Sequence, residues 1–194
     1  KANPAGPLAG LVFRVTFDPR SNMKYSSIRL FSGTIKSDTN MLRNDEKRGI
    51  RPGHILKPQG QENKEMSEGI AGDIINLAKI EDLKVGDLIH DGKVAGKFEM
   101  PAAPEPMFSL AIEPATRGDE QKIGSAIDKL CEEDPCFKAV RDMQTKELVM
   151  SGLGDLHLRV MLEKMEKRFK LAVTTKQPKI PYRETITLKA EGHY

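Results

Sequence analysis

The sequence predicts a mainly β unit followed by an α+β unit, and three observations carry that expectation. Up to about residue 100 the apolar stretches are short and bounded by Gly, Pro or Asp, with hardly any helical periodicity, as in an antiparallel β-barrel. Met100-Pro-Ala-Ala-Pro-Glu-Pro106 then crowds prolines into a stretch that favours an extended, semi-rigid joint. Beyond it, strand and helix patterns alternate in the order βαββαβ. The expected organisation is a barrel over 1–100, a linker over 101–106, an α+β domain over 107–176 and a connecting segment over 177–194.

Within the barrel, Leu11, Phe13, Val15 and Phe17 alternate with Val12, Arg14, Thr16 and Asp18 at the period of a half-buried strand. Asp18-Pro-Arg-Ser-Asn22 breaks that strand. Ile28 to Ile35 reads as the next one, with a bulge expected at Ser32-Gly33. Further strands are expected at Met41–Arg43, His54–Lys57, Gly72–Ala78 and Gly86–His90, with Lys93 to Glu99 completing the barrel. Basic residues among them, including Arg29, Lys36, Arg43 and Lys57, fit either solvated edge charges or phosphate contacts. Both readings stay open on the residues alone.

In the second half Phe108, Leu110 and Ile112 mark a strand that Pro114 ends. A helix is expected from Asp119 to Asp134, with Ile123, Ala126, Ile127, Leu130 and Cys131 on its apolar face. Phe137–Asp142 and Glu147–Met150 form a hairpin. Ser151-Gly-Leu-Gly-Asp-Leu-His-Leu158 is then a strand-to-helix corner in which Gly152 and Gly154 permit tight or close-approach backbone and Asp155 caps the helix. Leu158, Met161, Leu162, Met165 and Phe169 share one face of that helix, while Leu156 and Val160 project from another. Leu171–Thr174 closes the unit as its last strand. The order is that of a ferredoxin-like fold, with both helices expected on one face of the sheet.

Composition narrows the function classes. The 194 residues suit one or two domains, and 38% hydrophobic with 30% charged residues describe a soluble, globular chain. No apolar run approaches a membrane span, and the segment from Lys1 to Pro7 lacks the apolar core of a signal peptide. No membrane partner is expected, and a first residue other than Met suggests an excised piece. Cys131 and Cys136 would close a very short loop if bridged, so free thiols in the reducing cytoplasm are expected. His54, His90, His157 and His193 lack zinc-ligand spacing, and neither a metal nor a cofactor is expected in this chain. The net charge of +3 is modest. Its signs are nonetheless segregated, with acids crowded from Asp119 to Asp134 and bases gathered from Arg159 to Lys189.

Several motifs, in one order along the chain, resemble the elongation factor G family of translational GTPases. They are Phe31-Ser-Gly-Thr-Ile-Lys36, Ala71-Gly-Asp-Ile74, Glu105-Pro-Met-Phe-Ser-Leu-Ala-Ile-Glu-Pro114, Glu133-Asp-Pro135, the corner Ser151–Leu158, and Pro181-Tyr-Arg-Glu-Thr185. The resemblance implies a barrel of the translation-factor domain II type, then domain III, with Ala190–Tyr194 similar to the opening of domain IV. It implies a parent protein that binds GTP and Mg in a preceding domain and moves tRNA and mRNA through the ribosome. This chain has no Gly-x-x-x-x-Gly-Lys-Ser/Thr, and Asn63-Lys-Glu-Met66 departs from Asn-Lys-x-Asp, so no GTP hydrolysis is expected of it. The implied partners are small-subunit rRNA, a small-subunit ribosomal protein and the GTPase domain of the parent chain. Arg29, Lys36, Arg43 and Lys57 become candidate rRNA contacts. Pro106, His157 and Met161 match the family's fusidic-acid pocket and interdomain joint. Lys57–Met66 and Ile50–His54 depart from the family pattern and leave room for a divergent paralogue acting in ribosome recycling or another role.

Two other classes fit less well. A hydrolase built on Asp155 and His157 fails because residues two apart on a helix diverge. An autonomous RNA-binding module lacks the stacking aromatics of an RNA-binding sheet, with Phe, Trp and Tyr at 5% and no Trp.

Overall fold

The computed structural model describes residues 2–60, 62–94, 98, 100–116, 118–182, 184–188 and 190–192. Two compact units emerge, residues 1–104 with 125–136 and residues 105–124 with 137–194. The ends expected of the barrel at 95–97 and 99, and Arg183, Lys189, His193 and Tyr194 in the C-terminal motifs, lie outside the described residues.

The first unit is antiparallel throughout its sheet. Its strands are β1 (Ala9–Phe17), β2 (Lys24–Ser32), β3 (Thr34–Lys36), β4 (Leu42–Arg43), β5 (Ile55–Gln59), β6 (Glu62–Met66), β7 (Glu68–Ile70), β8 (Ile74–Ala78) and β9 (Leu88–His90). The main sheet runs β4-β9-β1-β2-β8-β5-β6, and β3 pairs with β7 as a separate ribbon. Val12, Val15, Ile28, Leu30, Ile35, Ile55, Ile75, Leu77, Leu83 and Ile89 form one buried cluster inside it. These are the β-branched and leucine side chains that a half-buried pleated surface selects.

Three features differ from the expected strands. In β1 the alternation is broken: Val12 and Val15 are both buried, whereas Phe13 is 40% exposed. The cause is a register shift between Val12 and Arg14 against β2, because one extra residue flips every later side chain to the opposite face. The irregularity expected at Ser32-Gly33 is instead a strand end. Gly33 takes φ +80, ending β2, and the chain resumes as β3 in the separate ribbon. Finally, Lys57–Met66 is a β5–β6 hairpin. Strand β6, Glu-Asn-Lys-Glu-Met, is exposed over nearly its whole length, so it lies at the sheet edge and shows no apolar period.

Within the first unit Lys24 is only 1% exposed. Its ammonium donates to the Glu81 carbonyl and to Glu132 Oε2, each at 2.6 Å, and lies 5.9 Å from the centre of the Phe17 ring. Burial of a lysine is tolerated because charge and donors are both satisfied.

The second unit carries β10 (Phe108–Pro114), β11 (Lys138–Arg141), β12 (Leu148–Gly152), α2 (Asp155–Lys164), a π turn (Met165–Phe169) and β13 (Val173–Lys176). Helix α1 (Glu120–Glu133) lies between β10 and β11 in sequence and is divided between the units at residue 125. The sheet order β11-β12-β10-β13, all antiparallel, is the ferredoxin-like arrangement. The last strand begins two residues later than the sequence suggests. Lys170 adopts φ 57 to stop the helix, and the Leu171 N–H bonds back to the Met165 carbonyl, so residues 170–172 serve as the helix end.

Candidate functional site

On the barrel, the four candidate cations sit in different electrostatic settings. Arg29 is exposed on β2, opposite Leu11 of β1 and Ile74 of β8. Lys36, at the end of β3, pairs loosely with Glu68 at 3.5 Å, and both side chains are largely exposed. Arg43 is committed elsewhere. Its guanidinium binds the Glu46 carboxylate and the Asp82 carbonyl and stands 3.9 Å from Asp87 Oδ2. The hydrogen bond to Glu46 raises its pKa further above an already high ordinary value. Lys57 is exposed on β5 and directly faces Lys64 of β6.

That last pairing was not anticipated. Lys64 stands across from Lys57, donates to Gln59 Oε1 at 3.3 Å, and neither lysine has a described carboxylate partner. Like charges directly opposite each other on a ladder are destabilising, so the hairpin carries a local cost that a bound anion would relieve. The same hairpin, through Pro58 and Asn63, borders a groove of about 720 Å³ lined also by Arg14, Arg20 and Tyr25. The groove floor is polar and ordered: Ser27 Oγ donates to Asn76 Oδ1 at 2.7 Å, and Asn76 Nδ2 donates to Asn63 Oδ1 at 2.9 Å. Sequence reasoning missed Lys64 because nothing local shows which residue a hairpin will place across from Lys57.

In the second unit the corner is built around a close approach at Gly152. A Cβ there would lie 2.8 Å from His157 Nδ1 and 2.8 Å from Leu158 Cδ2. His157 Nδ1 accepts the Leu153 N–H at 3.1 Å, so the neutral ring carries its proton on Nε2. The ring also meets Phe137 edge-on, with centroids 6.4 Å apart. A side chain in the first turn reaching back to an amide ahead of the helix does the work expected of a capping box. Asp155 is therefore not the cap. Gly154 occupies that position in extended backbone, without a side-chain hydrogen bond, and Asp155 is the first helical residue. The Asp155 carboxylate instead pairs with Arg159 at 2.7 Å, one turn along.

Of the candidates for the pocket and joint, Pro106 and His157 are half-buried, whereas Met161 is 1% exposed and lies in the core with Leu158 and Met165. Leu156, at 74% exposed, and Val160 leave α2 with a second apolar face open, as its sequence suggests. Among the described residues no cluster of three or more His, Cys, Asp or Glu could hold a metal ion. No described helix is long and apolar enough to cross a membrane. Neither Cys131 nor Cys136 is in a disulfide, and both are half-buried.

Comparison with known proteins fits this arrangement. A protein of Thermus thermophilus of known crystal structure superposes with a TM-score of 0.81 at 32% identity, over 92% of this chain and 27% of its own. The chain thus spans about a quarter of the length of that relative. The family model for Elongation factor Tu domain 2 matches residues 24–90, within the barrel, and that for Elongation Factor G, domain III matches residues 103–177, the ferredoxin-like run. With those two domains in that order on one polypeptide, the chain belongs to the elongation factor G family and spans its domains II and III.

Proposed function

We propose that this chain is a ribosome-binding part of a GTP-dependent translocation factor, in which the barrel docks on small-subunit rRNA. The observation that carries the docking reading is the opposed Lys57–Lys64 pair on the exposed β5–β6 hairpin, whose opposite face borders a groove that Arg14 and Arg20 line. Two uncompensated ammonium groups on a short, exposed hairpin suit phosphates, which fix orientation without reading sequence. Arg29 and Lys36 are further exposed donors, whereas Arg43 acts as an internal tie. Domain III relays the state of a GTPase domain through the corner at Gly152–His157 and the outward side of α2. GTP and Mg belong to that other domain, and this chain hydrolyses no GTP on its own.

Co-sedimentation with small ribosomal subunits tests the docking. Binding of the 194-residue chain should weaken steeply with salt, and K57E/K64E should lower the salt slope by roughly 2, about one per lost phosphate contact. A slope unchanged by the double variant, or binding indifferent to salt, would remove the barrel hairpin from the interface. GTP turnover by the chain above the buffer rate would overturn the division of labour.

A further inference from the structure

Glu147 ends the β11–β12 turn and is 8% exposed, unusual for a carboxylate. Oε2 accepts the backbone N–H of Lys179 at 2.9 Å. Oε1 meets the Lys176 ammonium at 2.9 Å as an ion pair, and the Lys179 ammonium stands 4.0 Å away. Lys176 is shared with Glu113 of β10, so one ammonium ties two strands and the turn together. Arg141 of β11, Lys146 of the turn and Glu120 of α1 complete the charged lining of the adjoining cavity of about 280 Å³.

These contacts bracket Gln177-Pro178. One carboxylate, from the β11–β12 turn, holds the side chain just before that dipeptide and the amide just after it. Beyond Lys179 the apolar side chains of Ile180, Tyr182, Ile186 and Leu188 are all exposed. We propose that Glu147 is a latch that sets the direction in which the chain leaves the sheet of the second unit, by clamping residues 176–179 against the β11–β12 turn. It does so independently of whether the barrel docks on RNA. The Glu147 carboxyl is held below its ordinary range, first by the Lys179 amide and then by Lys176, against the opposing effect of burial. The charged latch is therefore fully present above the ordinary glutamate range and is lost only as pH falls below it.

Amide exchange followed by NMR on the 194-residue chain tests this. The Lys179 amide should be protected relative to that of Leu188, and Glu147→Gln should speed its exchange by on the order of tenfold. The Met150 amide, inside β12, should not change. Equal exchange at Lys179 and Leu188 in the unmodified protein, or no effect of Glu147→Gln, would overturn the latch. If the variant also loosens Met150, acid titration of the unmodified protein decides. Lys179 losing protection before Met150 supports the latch, and simultaneous loss refutes it.

Discussion

Ile28→Ala is expected to lower stability by about 2–5 kcal/mol, the range for removing a large aliphatic side chain from a close-packed interior. Ile28 is fully buried at the middle of β2, opposite Val12 of β1 and Ile75 of β8. Its Cγ2 fills the space beside Gly10, where a Cβ would come within 2.9 Å. The strands on both sides are locked by their own ladders, so the hole cannot close by a small shift. Equilibrium denaturation should show a lower midpoint with an unchanged slope. Ile74→Ala, on the outward side of β8 at 43% exposed, should cost less than about 1 kcal/mol. Equal losses at the two sites would mean that the barrel interior is not packed as described.

Gly33→Ala should cost roughly 2–5 kcal/mol, the sum of two separate effects. Any side chain at φ +80 meets the left-handed penalty of about 1–2 kcal/mol. A methyl there would also lie 2.6 Å from Leu8 Cα and 2.8 Å from Leu8 N, which are backbone atoms of a buried residue and cannot swing aside. Overpacking of that kind adds about 1–3 kcal/mol. Gly60, in the β5–β6 hairpin, separates the terms, since it has φ +62 but nothing within 4 Å of its missing Cβ. Gly60→Ala should show the backbone penalty alone, about 1–2 kcal/mol. Thermal unfolding of both variants checks the difference, which disappears if the N-terminal segment does not pack on Gly33.

What the sequence could and could not announce follows from the range of the forces involved. The ferredoxin-like order was legible because each element carries its own signal: the apolar face of α1, the proline after it, and the Gly152 corner. The register of β1 was not. A bulge is a relation between two strands, and Phe13 reads as apolar whichever way it points. Strand β6 escaped for the opposite reason, since an edge strand exposed on both faces has no hydrophobic period to display. At the candidate site, Lys57 was identifiable as an exposed cation, but its partner Lys64 is set by hairpin pairing. The same limit applies to the buried Lys24 and Glu147. Both look like surface charges until the fold brings Glu132 and Lys179 to them, across 108 and 32 residues of chain.

The first and last strands of the second unit are antiparallel neighbours, with Ala111 opposite Lys176 and Pro114 opposite Val173. The polypeptide therefore arrives and departs at the same end of the sheet. Tension applied between those two points would load the rungs of the ladder one after another, because antiparallel hydrogen bonds lie across the strands. Pulled in this way, the unit would open like a zip from the Lys176 end and not resist as a sheared block.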